Sequence, residues 1–388
     1  MLFGISPIDI IGFVIFFILI LILPSFLRMR AMSSISNFTV EVEGMVEESK
    51  NVLIKLCSEK GNPEGDPKVA LDNFLEFFVI PPAELDPNGI VRKFEKILDL
   101  SEDRFSHMSK TLAPEADAEW TSNIVMTLKA TLGINGVAKM VRHNLELAKK
   151  TGNIQILLML QMSLPMIMRV VKAQYEGMHA FSEGKAVGDG IGPIIAGTLM
   201  KDVEKPDIHE VGEMVVCKTH FHGRELIIAR ANGPGARVGK VGKVVTSIIH
   251  ENNIKRLLTI DAAVKLEGEK TGTVAEGIGV VIGGPGVDKW MIEEELVKSD
   301  LQTDAVIIKM SPEEAISPMT KEILESSRKA VSVVEHAIME SPEGSSVLVV
   351  GVGNSCGVPV KVEDLDNINI KEDKEESKNK KEGRKWPF

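Results

Sequence analysis

Cysteine, aromatic residues and clustered positive charge are all scarce in this chain of 388 residues. The three cysteines, Cys57, Cys217 and Cys356, lie far apart and form no CxxC pair. Neither a zinc knuckle nor a disulfide framework is therefore indicated, and a reducing compartment fits. The net charge is −10 and aromatics make up 5%. A chain this acidic, without a basic stripe, is not expected to bind nucleic acid.

Two common nucleotide-binding signatures are also missing. No glycine loop ends in the Lys-Ser/Thr pair of a P-loop. The Gly351–Gly353 segment follows an apolar run, as a dinucleotide fingerprint would, but no helix clearly follows it and no acid ends a strand about 20 residues later. Neither nucleotide fold is predicted.

The N-terminus contains a long apolar run without charged residues. Ile10 to Leu27 is a run of 18 uncharged residues, with Asp9 before it and Arg28 and Arg30 after it. This length can cross a bilayer, and the basic flank is expected on the cytoplasmic side. A cleaved signal peptide fits less well because a basic leading region and a small-residue cleavage site are absent. We predict a membrane anchor over 1–31, with a single pass through the cell membrane and the bulk of the chain cytoplasmic.

The next 150 residues read as helices. Apolar residues recur at helical spacing through 32–182, which predicts an all-α domain. The run 154–171 is apolar enough for a second span, but Gln155, Gln161, Pro165 and Arg169 favour a buried core helix or an interface helix. Both interpretations remain open at this point.

Beyond Phe181, glycines and β-branched runs become frequent, which predicts an α/β domain over 183–365 with a largely parallel sheet. The predicted strands are Met214–Cys217, Glu225–Ala231, Leu257–Ile260, Ile278–Ile282, Ala305–Ile308 and Val347–Val350. The predicted helices are Ile194–Lys201, Val241–Asn252, Lys289–Ser299 and Lys321–Glu340. A tail of mixed lysine and glutamate over 366–388 is expected to be disordered.

Two acids stand at positions suited to chemistry. Asp261 ends the apolar run Leu257–Ile260, and the carboxyl ends of parallel strands face the ligand crevice in open α/β sheets. Asp189 lies in the turn GDGIGP, just before an apolar helix. Paired carboxylates serve metal binding or acid/base catalysis, so Asp189 and Asp261 are the candidate catalytic residues. The plainer alternative is that each acid only caps a turn.

Four glycine loops could present backbone amides to an anion. The candidate ligand-binding residues are Gly188, Gly190, Gly192, Gly235, Arg237, Lys265, Gly353 and Asn354, with Lys240 beside Arg237. Tight turns and solvated loops explain the same residues without a ligand.

Three other residues carry side chains that could take part in chemistry. His220 and His222 are two apart and could join the acids at a metal, although an exposed hairpin turn is the alternative. Cys356 lies in a glycine loop but has no histidine near it in sequence, so a nucleophilic role is not predicted.

The motifs together resemble those of hydrogenase maturation proteases and, more loosely, germination proteases. The matching segments are GDGIGP at 188–193, LLTIDAAVKLEGEKTGTV at 257–274, GIGVVIGGPGV at 277–287, ISPMTKEIL at 316–324 and GVGN at 351–354. In those families the GxGN turn precedes the acidic turn, whereas here it comes last. The resemblance therefore implies a circularly permuted version of their α/β fold.

This resemblance implies that Asp189 and Asp261 are the paired acids, acting on a protein substrate with or without a divalent metal. The maturation proteases add a histidine ligand near Gly284 to Lys289, where this chain has only Asp288. Metal candidates are thus Asp189, Asp261 and Asp288. The whole chain also resembles an archaeal membrane-anchored family of unassigned function, which implies no activity. We hold two hypotheses: a membrane-anchored peptidase-like protein, and a non-catalytic membrane-tethered sensor of an anionic small ligand.

Overall fold

The computed structural model describes residues 7–63, 65–82, 89–204, 207–299 and 301–371. The anchor's first six residues and most of the predicted charged tail (372–388) lie outside these described residues. By internal contacts the chain divides into two compact units: 1–48 with 132–172, and 49–131 with 173–388.

The N-terminal part is all-helical, as predicted. Its helices are α1 (Pro7–Gly61), α2 (Pro67–Phe74), α3 (Ile90–Leu112), α4 (Ala118–Thr151) and α5 (Ile154–Glu183). The predicted anchor and the helix after it form one continuous helix, α1, although Pro24 lies inside it. The apolar residues Ile11 to Leu27 of α1 are exposed, as a helix surrounded by lipid would be.

Among the residues that the structure describes, three helices are long and apolar enough to cross a membrane: Ile11–Gly61, α4 and α5. The 154–171 segment of α5 is not a core helix, because Met159, Met162 and Met166 are 64%, 82% and 71% exposed. Within this segment only Leu157, Leu164 and Val171, which are seven residues apart, are buried. This correction follows from amphipathic packing: the segment buries one stripe and leaves the rest of an apolar helix uncovered.

The C-terminal part is an α/β domain built on seven strands. In chain order its elements are α6 (Ile191–Leu199), β1 (Ile208–Val211), β2 (Met214–Phe221), β3 (Arg224–Ala231), α7 (Val241–Glu251), β4 (Ile254–Val264), β5 (Thr273–Ile278), α8 (Val287–Lys298), β6 (Gln302–Met310), α9 (Pro312–Ile316), α10 (Lys321–Met339) and β7 (Ser346–Gly351).

The sheet is mixed rather than largely parallel. Its order is β1-β2-β3-β7-β4-β6-β5. The four inner strands β3, β7, β4 and β6 are parallel, whereas β1, β2 and β5 are antiparallel to their neighbours. The prediction overlooked that a connection as short as His222-Gly223 can join only antiparallel strands.

One strand was predicted in the wrong place. The apolar run Ile278–Ile282 is an irregular segment, and the strand β5 ends at Ile278. Val280 is nevertheless buried in the core beneath α7 and α8. Burial of an apolar run does not distinguish a strand from a covering loop, which explains the error.

Two apolar cores enclose the inner strands. One face packs on α6 and α10, with Ile191, Ile260, Val306 and Ile323 fully buried. The other face packs on α7 and α8 and includes Leu257 and Leu348. Because both faces are covered, these strands read as continuous apolar runs, and their carboxyl ends form the edge where ligands bind in open α/β sheets.

Candidate functional site

The two predicted acids come together at the carboxyl edge of the sheet. Asp261 lies in the last third of the inner strand β4 and is only 2% exposed. Asp189 lies in the single turn Gly188–Gly190 that leads into α6, and it is partly buried. The negative charge of Asp189 raises the pKa of Asp261, which shows that the carboxylates interact. The expectation that these two loops meet is confirmed.

Backbone amides hold both carboxylates in place. Asp261 Oδ1 accepts a hydrogen bond from the N–H of Ala262 at 2.7 Å, and Oδ2 accepts one from Gly283 at 2.8 Å. Asp189 Oδ2 accepts from the N–H of Asn354 at 2.9 Å. No cation contributes to this set, so the amides orient the acids without neutralising them.

The electrostatics of the pair favour a bound proton. Burial raises the pKa of Asp261 to about 8, with the charge of Asp189 as the second cause, and the two amide hydrogen bonds oppose the rise. Burial also raises the pKa of Asp189. Two carboxyl groups that interact in this way titrate as a unit. Near neutral pH the pair therefore keeps at least one proton.

The glycines of GDGIGP and GVGN allow their loops to approach this closely. A Cβ on Gly192 would lie 2.1 Å from the carbonyl oxygen of Val352, and one on Gly353 would lie 1.9 Å from that of Asp189. Gly353 also has φ of +128°, which other residues rarely adopt. GVGN and GDGIGP, 160 residues apart in sequence, are thus packed directly against each other.

These glycines let their loops pack closely against neighbouring backbone. The space beside Gly188 is filled by the carbonyl of Glu314, that beside Gly190 by Asn354, and that beside Gly235 by Glu119. Asn354 itself is 4% exposed, and its side chain accepts from the N–H of Cys356. The anion-cradle prediction for these loops is not supported by their geometry.

The predicted cations are held by other protein groups. Arg237 donates from Nε to Ser122 and from its two terminal nitrogens to the carbonyls of Asn232 and Ala118. Lys265 donates to Thr271 and lies 3.5 Å from Glu314. Lys240 pairs with Asp99 at 2.9 Å. Arg237 instead joins the 232–237 loop to the start of α4.

Asp288 and the histidines lie elsewhere. Asp288 accepts from the N–H of Gly242 at the start of α7. His220 and His222 are exposed in the β2–β3 hairpin, whose register places them beside Ser346 at the amino edge of the sheet. They cannot join the acids, because the acids lie at the opposite edge. Across the described ranges, no three His, Cys, Asp or Glu side chains gather as metal ligands.

Cys356 is fully buried, and burial raises the pKa of its thiol to about 12. Only the thiolate is nucleophilic, so Cys356 is inert at neutral pH. Its sulfur lies 3.9 Å from Asn123 Oδ1, which also accepts from the N–H of Ala236.

Sequence reasoning missed two parts of the site. Arg230, fully buried on β3, donates to the carbonyls of Ala231, Pro193, Val358, Pro359 and Val360 and so fixes the loops around the acids. Burial without an acidic partner lowers the pKa of Arg230 to about 9. An arginine inside the apolar run LIIARA was the available signal.

The second missed part is the loop 279–286, which supplies Gly283. Its N–H bonds Asp261, and the N–H of Val281 bonds Thr259 Oγ1 at 3.1 Å. Unlike the glycines of GDGIGP, Gly284 and Gly286 have open space where a Cβ would stand. The glycine density of GIGVVIGGPGV was the signal, but it pointed to no particular residue.

Two family models match the chain. The description "Protein of unknown function (DUF1512) N-terminal domain" covers residues 9–184, and "Domain of unknown function (DUF1512) C-terminal" covers 187–359. No curated protein and no solved structure matches significantly. The resemblance to maturation and germination proteases therefore rests on the short motifs alone, and nothing bears on an archaeal origin. The two matches follow each other in sequence and together span residues 9–359, so the chain belongs to the DUF1512 family.

Proposed function

We propose that this protein is a membrane-anchored hydrolase that cleaves a polypeptide with Asp189 and Asp261 as a proton-sharing acid pair. The observation that carries the proposal is the buried Asp261 at the carboxyl end of β4, with its pKa raised to about 8 beside the partly buried Asp189. A pair that keeps one proton near pH 7 offers a general acid and a general base in the same site.

The chemistry assigned to the pair is hydrolysis of an amide. The ionised carboxylate takes a proton from a water molecule as its oxygen attacks the carbonyl carbon. The protonated carboxyl donates to the carbonyl oxygen, and the amide nitrogen leaves with a proton when the tetrahedral intermediate collapses. The open glycines of the 279–286 loop leave room for a substrate backbone next to Asp261.

The motif resemblance gives separate support. In a permuted maturation-protease fold, the GxGN turn must reach the acidic turn through space rather than along the chain. Here the N–H of Asn354 binds the carboxylate of Asp189, and Gly353 packs on the Asp189 backbone. This contact is the relation between the two motifs that a permuted fold would require.

A divalent cation would replace the shared proton in this account. Two carboxylates with water could hold Mg²⁺, which keeps much of its hydration shell in proteins. The raised pKa of both acids favours the proton. We therefore expect EDTA to leave the activity unchanged and Mg²⁺ to give no stimulation.

The membrane part of the proposal rests on the exposed apolar stretch of α1. Asp9 precedes it, and Arg28 and Arg30 follow it, so the α/β domain faces the cytoplasm. The sensor hypothesis has weaker support, because Arg237, Lys240 and Lys265 are engaged by protein groups and the site carries acids. An anionic ligand would be repelled there.

The test compares newly formed protein N-termini in cells that express the wild type, Asp189→Asn, Asp261→Asn or Asp288→Asn. Asp288 is the matched control, since burial raises its pKa too but it lies outside the pair. We expect a set of cleavage products to fall by about 10²- to 10⁴-fold in the two pair variants and to persist in Asp288→Asn. Identical products in all four would contradict the proposal.

A further inference from the structure

Helix α5 carries an exposed apolar stripe along its first half. Its buried residues lie on the opposite side of the helix, and the stripe consists of Ile154, Leu158, Met159, Met162 and Met166, which are 36% to 82% exposed. These five residues, the α5 stripe, recur at helical spacing and share one face about 18 Å long. A contiguous apolar patch on a protein surface marks an interaction site.

The charge around the α5 stripe has one sign. Residues 147–172 contain no aspartate or glutamate, and their basic residues are Lys149, Lys150, Arg169 and Lys172. The whole chain has a net charge of −10, so this segment is a local exception. Basic residues around an apolar helix face attract anionic lipid headgroups. Pairing with a second copy would instead bring the same positive charges together, which is unfavourable.

The α5 stripe begins next to the membrane anchor. Gly152 lies in the turn between α4 and α5, and a Cβ on it would lie 4.0 Å from Nη2 of Arg28. Arg28 directly follows the exposed apolar stretch of α1 and so marks its end. Farther along, Lys172 of α5 lies 3.8 Å from Glu41 of α1. With α1 across a bilayer, α5 therefore starts at the bilayer surface.

Pro24 gives α1 a point at which it can bend. Proline carries no N–H, so the helix lacks one backbone hydrogen bond there, and long helices bend at such positions. Pro24 lies four residues before Arg28, near the end of the apolar stretch. A bend at Pro24 tilts the following helices towards the bilayer, which lets the stripe meet the surface along its length and not only at Ile154.

We propose that the α5 stripe lies on the surface of an anionic membrane, with its apolar side chains in the lipid and Lys149 and Lys150 beside the headgroups. Helices of this kind bury their apolar face roughly 5–10 Å into the boundary between headgroups and acyl chains. α5 is then an interfacial helix and not a second span. This inference rests on the membrane anchor of the proposed function and is independent of the acid pair.

The test measures methionine oxidation in the full chain, held in lipid nanodiscs that carry one copy each. Dilute hydrogen peroxide converts accessible methionine to its sulfoxide, and mass spectrometry quantifies each site. Met339 in α10 is 48% exposed and serves as the internal reference. We compare discs of phosphatidylcholine with discs that also contain phosphatidylglycerol. Relative to Met339, we expect Met159, Met162 and Met166 to react about tenfold more slowly in the anionic discs.

Two double variants test the basic residues. Lys149→Gln with Lys150→Gln should restore most of the methionine reactivity in the anionic discs. Lys289→Gln with Lys298→Gln removes the same charge from exposed lysines of α8 and should leave the protection intact. Salt supplies a readout without any substitution: at about 1 M, where the screening length is about 3 Å, the stripe of the wild type should react faster.

Four results would overturn the proposal. Low reactivity of the stripe in both kinds of disc would mean that α5 is inserted in the bilayer whatever the lipid charge. High reactivity in both would leave the stripe outside the lipid. Protection that appears only in discs carrying two copies would assign the stripe to a second copy of the chain. Equal reactivity in the two double variants would remove the role of Lys149 and Lys150.

The anchor and the surface contact can fail separately. If alkaline carbonate strips the full chain from liposomes, α1 does not span them, and the membrane part of the proposed function fails together with this inference. If the chain stays in the liposomes while the stripe methionines react freely, the anchor stands and only the surface contact fails. Neither result bears on the acid pair, which is tested by cleavage.

Discussion

Buried charged side chains have different partners at the amino and carboxyl edges of this sheet. At the amino edge, Arg256 is 7% exposed and bonds Asp304 at 2.6 Å and Glu340 at 2.8 Å. At the carboxyl edge, within the described part of the chain, the polar partners of Arg230 are backbone carbonyls, and those of Asp189 and Asp261 are backbone amides and each other.

The difference separates structure from function within a single domain. Ion pairing at the amino edge raises the pKa of Arg256, against the effect of its burial, and keeps the residue charged. At the carboxyl edge burial moves the pKa of every one of these groups towards its neutral form. Charges kept apart from counter-charges lower stability, and such arrangements concentrate at functional sites.

The largest expected effect separates two glycines of positive φ. Gly353→Ala at the carboxyl edge puts a Cβ 1.9 Å from the Asp189 carbonyl, whereas Gly344→Ala at the amino edge meets nothing within 4 Å. We expect Gly353→Ala to lower the free energy of unfolding by about 4 kcal/mol or more, and Gly344→Ala by about 1 kcal/mol. Denaturant unfolding measures both, and equal losses would contradict the described packing of GVGN on GDGIGP.

The second-largest effect on stability is expected for the buried arginines Arg230 and Arg256. Arg230→Met removes the donors of five carbonyls in the site loops, so we expect a loss of roughly 3–5 kcal/mol and displaced loops. Arg256→Met leaves Asp304 and half-exposed Glu340 within reach of water, so a loss of about 1–3 kcal/mol is expected. Urea midpoints decide the order, and a greater loss in Arg256→Met would reverse the comparison.

The acid pair should make the fold sensitive to alkali. The pKa of Asp261 is about 8 in the folded chain and near 4 when unfolded, so the folded state binds the proton more tightly. The unfolding free energy of the wild type should therefore fall as the pH rises from about 4 through 8. Asp261→Asn removes the part of this fall that comes from Asp261, and at pH 9 it should be more stable than the wild type by roughly 2–5 kcal/mol.

Asp99 gives the control of opposite sign. Lys240 lowers the pKa of the Asp99 carboxyl, so that group stabilises the fold above its unfolded pKa and loses the effect in acid. Asp99→Asn should therefore weaken the fold at neutral pH and leave the alkaline fall in place. Parallel pH profiles for Asp261→Asn and the wild type would argue against a raised pKa in the pair.

The smallest effect belongs to the exposed hairpin at the amino edge. His222 has φ of +44° and Gly223 of +77°, a two-residue turn that asparagine-glycine fits best. His222→Asn should raise the melting temperature slightly, by a stability gain of about 0.5–1 kcal/mol, without changing cleavage. A loss of activity would return this histidine to the list of site candidates.

Most elements and the acid pair could be read from the sequence. Apolar runs such as Leu257–Ile260 are buried on both faces and are visible as strands, and an acid directly after one is conspicuous. Strand direction could not be read, because β5 pairs with β6 rather than with its sequence neighbour β4. The periodicity of apolar residues indicates which positions are buried, but it does not indicate which strands pair.

The roles of individual polar residues could not be predicted from the sequence either. Arg237 and Arg230 are both arginines near glycine loops, and only the coordinates show that each binds backbone carbonyls rather than a ligand. Gly283 contributes through its N–H, a group that every residue except proline carries, so no residue type could have marked it. The sequence did allow the acids Asp189 and Asp261 to be predicted, because a carboxylate directly after an apolar strand or before an apolar helix is conspicuous.

The central claim is that Asp189 and Asp261 share one proton near neutral pH, and infrared titration of the full chain tests it most directly. We predict a protonated-carboxyl band that persists to about pH 8 in the wild type and in Asp288→Asn, and that is lost in Asp261→Asn. A wild-type spectrum in which every carboxyl has ionised by pH 6 would contradict the account.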